Sequence, residues 1–172
     1  AIARAAQAGE IPAEVALLVC DKPSARACQV AEQLNIPTFA FSAKEYGSKA
    51  EYEQAIVERC NKAGVELICL AGYMRIVGET LLGAYSGHII NLHPSLLPAF
   101  KGARAIEQAL EYGVKIFGAT IHYVDESLDG GKIIAQRAIE YEGNCLEEIT
   151  AKIHAIEHNL YIETIKKILN KE

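Results

Sequence analysis

Apolar and polar positions along this chain fall into two patterns, short apolar runs and longer stretches with a helical repeat, and their alternation predicts a sheet wrapped by helices. The opening Ala1-Ile-Ala-Arg-Ala-Ala reads as a helix, and Val15-Ala-Leu-Leu-Val-Cys20 as a buried strand that stops at Asp21. Ser24 is placed to cap a helix through about Leu34, and Ile36-Pro-Thr-Phe-Ala-Phe41 predicts a second strand. Ser48 opens another helix, with Ala55, Ile56, Cys60 and Ala63 as its apolar residues and Gly64 as its close. Val65-Glu-Leu-Ile-Cys-Leu-Ala71 follows as a strand, and Gly72 begins a loop. Next come a strand over Ser86 to His93, a helix over Ala103 to Tyr112, paired strands from Ile116 to Val124 and Lys132 to Ile139, and a last helix from Leu146 to Leu169. The expected class is α/β, one domain over 1–172 with a mostly parallel sheet, helices on both faces, and an antiparallel strand pair toward the C-terminal part.

The chemistry gathers where two of these strands end. In a strand, residues i and i+2 project from one face, so Asn91 and His93 point the same way. Pro94 has no N–H for a ladder and biases His93 toward extended geometry, so the strand should stop there with both side chains at its carboxyl end. In open parallel α/β sheets that edge is where ligands bind. Asp129 follows the strand-like Ala119-Thr-Ile-His-Tyr-Val124 and stands beside Gly130 and Gly131, which allow a tight turn and a close approach of ligand to backbone. An amide, an imidazole and a carboxylate can then converge. Taken singly, each has an ordinary explanation: Asn91 as a turn cap, His93 as a satisfied buried histidine, and Asp129-Gly130 as a turn.

The chain carries 17 Lys and Arg against 22 Asp and Glu, a net charge of −5. No basic cluster marks a nucleic-acid face, which argues against a nucleic-acid partner. No apolar stretch approaches a membrane span and no secretory leader pattern is present, so the expectation is a cytoplasmic protein without a membrane partner. Cys20, Cys28, Cys60, Cys69 and Cys145 are scattered and odd in number, never in a Cys-x-x-Cys pair, and read as small thiols rather than a disulfide framework or zinc knuckle. The alternation is Rossmann-like, yet no Gly-x-Gly-x-x-Gly and no Walker glycine loop occurs.

Ala71-Gly-Tyr-Met-Arg75-Ile, Asn91-Leu-His-Pro-Ser-Leu-Leu-Pro98 and His122-Tyr-Val-Asp-Glu-Ser-Leu-Asp129-Gly-Gly131 together make the block from Leu67 to Gln136 resemble the phosphoribosylglycinamide formyltransferases. The resemblance implies a folate-dependent enzyme of de novo purine biosynthesis. It would move a formyl group from 10-formyltetrahydrofolate, its co-substrate, to the amine of glycinamide ribonucleotide. Related enzymes share the Asn, His and Asp, so a formyltetrahydrofolate deformylase is the rival within enzymes, and a folate- or nucleotide-binding module without turnover the rival outside them. Pro94 and the short chain favour the glycinamide enzyme. The implied partners are small molecules, and the implied assembly a monomer or homodimer. In the resembling family a first strand ending in a Gly-Ser-Asn phosphate loop precedes the opening helix; the expectation is that this chain is a fragment lacking both, with central strands left unpaired.

The resemblance also assigns residues. Asn91, His93 and Asp129 are the catalytic group. Met74, Arg75 and Ile76 meet the folate pterin, Leu82, Ile89 and Leu92 line a slot for its ring, and Val124, Asp125 and Glu126 lie on a loop closing over it. The apolar three could equally be ordinary core. Gly72, Met74, Pro94, Gly102 and Glu157 are implied ribonucleotide contacts, with Glu157 on the ribose hydroxyls. Lys49 falls where the family often has an arginine near the phosphate, though a solvated helix charge explains it better.

Formyl transfer to an amine passes through a tetrahedral adduct whose oxygen gains negative charge, so donors aimed at it lower the barrier. Asn91 supplies an uncharged donor, and a protonated His93 a charge-assisted one. Asp129 favours that imidazolium and can hold a water that carries protons. No metal is needed. His154-Ala-Ile-Glu157-His158 does match the zinc-protease pattern H-x-x-E-H on a helix, but few residues follow to give a third ligand, and His154 and His158 are expected at the surface or in packing.

Overall fold

The computed structural model describes residues 1–170. Six strands, β1 (Leu18–Cys20), β2 (Thr38–Ala40), β3 (Ile68–Leu70), β4 (Ile89–His93), β5 (Ile116–Tyr123) and β6 (Ile133–Glu140), form two sheets. The first is β1-β2, parallel; the second has the order β3-β4-β5-β6. β4 runs parallel to β3 and antiparallel to β5, and β5 is antiparallel to β6. The expected antiparallel pair is therefore present, and β5 also runs against β4. Among the described residues no strand joins β1 to β3. Six α-helices surround the sheets: α1 (Ile2–Gln7), α2 (Arg26–Gln33), α3 (Lys49–Lys62), α4 (Glu79–Ala84), α5 (Ala105–Tyr112) and α6 (Leu146–Leu169). None of them is long and apolar enough to cross a membrane.

Side chains satisfy the first turns of α3 and α4. Ser48 caps α3 by accepting from the Glu51 N–H at 3.2 Å. α2 starts one residue later than expected: its N-cap is Ala25, which makes no side-chain cap, so Ser24 does not perform that role. α4, which the hydrophobic pattern does not announce, has a cap supplied from elsewhere in the chain. The Glu53 carboxylate, 1% exposed, accepts from the N–H of Gly78 at 2.6 Å and of Leu81 at 3.3 Å. A buried carboxylate at a helix N-terminus satisfies orphan donors and complements the helix dipole.

β4 divides the core between its two faces. Ile89 belongs to a cluster with Phe41, Tyr52, Ile56, Leu81 and Tyr85, whereas Ile90 belongs to one with Ala5, Ile121, Leu160, Tyr161 and Ile165. Consecutive strand residues point to opposite faces, so helices cover the sheet on both sides, α3 and α4 on one and α1 and α6 on the other. A third cluster joins α5, β5 and α6 through Ile106, Phe117, Ile149 and Ile153.

A buried polar web fastens the loop after β4. The Thr120 hydroxyl donates to the Ser95 carbonyl at 2.6 Å and accepts from the Leu97 N–H at 3.1 Å and from Gln136 at 3.0 Å, while Gln136 also donates to the Leu97 carbonyl at 2.9 Å. Thr120 is fully buried. Thr120→Val keeps the shape and leaves those partners unpaired, so it should lower stability by about 1–3 kcal/mol, read from urea unfolding; a loss under about 0.5 kcal/mol would contradict this account of the loop.

Candidate active site

Four side chains meet at the end of β4. The antiparallel register sets Asn91 opposite His122 and His93 opposite Thr120. Opposed residues bring Cβ atoms to roughly 4.5–5.5 Å. Asn91 Nδ2 lies 3.2 Å from His122 Nε2. An amide nitrogen only donates, so Nε2 accepts and the ring hydrogen sits on Nδ1, which donates to the Tyr123 carbonyl at 2.8 Å. His122 is thus a neutral imidazole. Burial pulls its pKa below the ordinary 6.5, against the opposing pull of the Tyr123 carbonyl and the Asp129 and Asp125 carboxylates, with His93 adding to the lowering.

His93 has different neighbours. Its Nε2 donates to the Phe100 carbonyl at 2.8 Å, and its Nδ1 lies 3.4 Å from Asp129 Oδ2. The carbonyl takes the Nε2 hydrogen, and the carboxylate faces Nδ1 at ion-pair distance without a hydrogen bond. Asp129 Oδ2 also accepts from the Gly102 N–H at 2.7 Å, and Oδ1 stands 3.8 Å from His122 Nε2. Asp129 adopts φ 45°, left-handed backbone that Asp tolerates better than most residues. The chain returns to β6 directly after it through Gly131, where a Cβ would stand 1.9 Å from the Tyr123 carbonyl oxygen, so only glycine fits.

These groups line a cavity of about 450 Å³. Of the residues singled out from sequence, Gly72, Met74, Arg75, Ile76, Asn91, Leu92, His93, Pro94, Gly102, Val124, Asp125, Asp129 and Glu157 are on its wall. Met74 and Ile76 are exposed apolar side chains at its edge, joined by Leu128 from across the opening. Arg75 is held by an ion pair to Asp21 at 2.6 Å and lies over the Tyr52 ring. Asp125 is fixed by the hydroxyl and N–H of Ser127, which hold its carboxyl below the usual range.

Four expected residues stand off this wall. Ile89, 1% exposed, is core, and Leu82 is partly buried against the same cluster, so ordinary packing accounts for both. Glu126 is exposed outside the lining. Lys49 faces the buried Glu53 carboxylate at 3.9 Å instead. Conversely, the wall includes His122, His154 and Arg104, which sequence reading did not select. Thr120 and His122 stand at i and i+2 in an apolar strand, the same signal that identified Asn91 and His93. His154 and His158 do not face a common ligand: His154 Nδ1 is 2.7 Å from Glu157 Oε2, whereas His158 lines a second, apolar cavity of about 660 Å³ between β1 and β3. Among the described residues no cluster of three or more His, Cys, Asp or Glu is arranged to hold a metal ion.

An α/β sheet with an amide, two imidazoles and a carboxylate around one hollow at its strand ends defines a protein built to act on a small molecule. The chain belongs to the formyl transferase family, whose model matches residues 1–165. It is 56% identical over 158 residues to the phosphoribosylglycinamide formyltransferase of Bacillus subtilis, spanning 91% of this chain and 81% of that protein. It is 40% identical over 150 residues to the chicken (Gallus gallus) trifunctional purine biosynthetic protein adenosine-3, where the match spans 87% of this chain and 15% of that longer protein. The crystal structure of phosphoribosylglycinamide formyltransferase from Bacillus halodurans superposes with a TM-score of 0.95 at 50% identity, covering 99% of this chain and 88% of that one.

The neutral His122 makes stability depend on pH. The unfolded ring takes up a proton before the folded one, so stability should fall as pH drops through 6.5 and level off only below the depressed pKa of the buried ring. His122→Gln keeps an acceptor for Asn91 without an ionisation. Urea titrations from pH 8 to about 5 should show a shallower acid loss in the variant; identical slopes would refute the neutral assignment.

Proposed function

We propose that this chain catalyses direct transfer of the formyl group of 10-formyltetrahydrofolate to the amine of glycinamide ribonucleotide, a step of de novo purine biosynthesis. The observation that carries this reading is the convergence of Asn91, His93 and Asp129 on one cavity in a chain so similar to the Bacillus subtilis enzyme. The amine nitrogen adds to the formyl carbon, whose oxygen takes up negative charge. The bond from that carbon to the folate nitrogen then breaks, and the proton lost by the amine ends on the folate.

Each side chain has a part in that balance. Asn91 Nδ2 carries two hydrogens, one committed to His122, which leaves the other for the adduct oxygen. His93, held by the Phe100 carbonyl and facing Asp129 at 3.4 Å, would as an imidazolium stabilise the adduct through its positive charge. Asp129, fixed by the Gly102 N–H, keeps that charge in place and holds the water that relays the proton. The exposed Met74 and Ile76 offer apolar surface to the folate ring, with Arg75, Leu92, Val124 and Asp125 around it. Gly72, Pro94, Gly102 and Glu157 serve the ribonucleotide, with Glu157 on its ribose hydroxyls. Amine attack needs no covalent enzyme intermediate, and the thiols lie apart from the group; burial pushes Cys69 up to about 12, far from a usable nucleophile.

The test is formyl consumption by the purified protein with and without glycinamide ribonucleotide. Transfer predicts consumption that depends on the acceptor and yields formylated ribonucleotide; equal rates in both conditions would mean hydrolysis and overturn the reading. Asn91→Ala should reduce kcat about 10²- to 10³-fold, as expected for loss of one oxyanion donor. Asp129→Asn should be severely impaired with folate binding retained, and unchanged turnover in it would refute the proton relay.

A further inference from the structure

His154 lines the cavity from α6 beside Glu157 and has no part in the chemistry above. Glu157 is 6% exposed although it carries a carboxylate, and its neighbour one turn earlier, His154, is largely exposed. His154 Nδ1 stands 2.7 Å from Glu157 Oε2. A carboxylate accepts, so Nδ1 carries the hydrogen and donates. Among the described residues Glu157 has no other hydrogen-bond partner: one oxygen is held by His154, and the other is free to accept from a ligand. Both residues line the cavity wall.

We propose that His154 is a positioning residue for Glu157, fixing the carboxylate so that its free oxygen receives a sugar hydroxyl of the ribonucleotide. The inference rests on the ribonucleotide reading of the site and extends it to a residue that never enters the reaction. A carboxylate on a flexible three-carbon arm loses rotamer freedom when it binds. A donor that already holds one oxygen removes part of that cost before the ligand arrives, and the gain appears in affinity rather than in the chemical step.

The test compares His154→Ala and His154→Asn with the wild type. The Asn amide nitrogen is as many bonds from Cβ as Nδ1 of the imidazole, so it can replace the donor, whereas Ala cannot. In His154→Ala the KM for glycinamide ribonucleotide should rise roughly 3- to 10-fold, with kcat and the KM for formyl folate within about two-fold of wild type, as loss of one hydrogen bond to the ligand-binding group would give. His154→Asn should recover most of that loss. Direct titration of glycinamide ribonucleotide, followed by calorimetry, should show the same pattern and does not require turnover. An unchanged KM and affinity in His154→Ala, an equal loss for both substrates, or no recovery in His154→Asn would each overturn the proposal. Wild-type binding without formyl transfer would overturn the transferase reading alone, because the dependence on His154 is then read from affinity.

Discussion

The register between β4 and β5 is the constraint on which the site depends. It sets Asn91 against His122 and His93 against Thr120, so two polar residues of each strand share one face at one end of the sheet. A slip of one residue would turn every one of these side chains to the other face. Ile90 and Ile121, both fully buried, oppose such a slip, because it would carry them out of the cluster they share with α6. The apolar face therefore fixes the position of the polar one. β5 and β6 add a register shift between Ile121 and His122, where the ladder changes its aim next to the imidazole that holds Asn91.

Two histidines in this small volume meet different neighbours. His122 accepts from an amide and donates to a carbonyl, an arrangement that satisfies the neutral ring and no other. His93 donates from Nε2 to the Phe100 carbonyl, and its Nδ1 faces the Asp129 carboxylate at 3.4 Å. The neutral ring matters for the amide, since a protonated His122 would offer Asn91 a hydrogen where its own N–H must go.

Much of this was legible in the chain because its signals are local. The i, i+2 spacing of Asn91 and His93, the stop at Pro94 and the Asp129-Gly-Gly turn each follow from backbone geometry within a few residues, and β4 does end at His93. The helix from Leu146 to Leu169 is likewise written in its own periodicity. What escaped depends on distant partners. α4 needs the Glu53 carboxylate from α3 to satisfy its first turn, and six residues including Gly83 carry no helical signature of their own. The engagement of His93 Nε2 by the Phe100 carbonyl required knowing how the loop after Pro94 folds back under Thr120. Lys49, which a helix charge explains better than a phosphate contact, has its ion pair with Glu53 one turn along its own helix.

Glu157 shows how a long-range feature can still leave a trace in sequence. The buried side of α6 runs through Ile149, Ile153, Glu157, Leu160, Tyr161 and Ile165, so a carboxylate occupies a position where the helical repeat calls for an apolar residue. Burial of a charge without compensation is costly, which makes such a residue a mark of something beyond packing. Its neighbours explain how it reaches the site. The Tyr161 hydroxyl, one turn further on, lies 2.8 Å from the Leu70 carbonyl and 3.2 Å from that of Ile90, and so ties α6 to the carboxyl end of β3 and to β4 beside it. The turn before that anchor is thereby held at the rim, where Glu157, Gly72 and Leu92 face both the polar cavity and the apolar space between β1 and β3. The same stripe that buries α6 against the sheet thus delivers the carboxylate to the hollow, and His154 supplies the hydrogen bond that makes its burial tolerable.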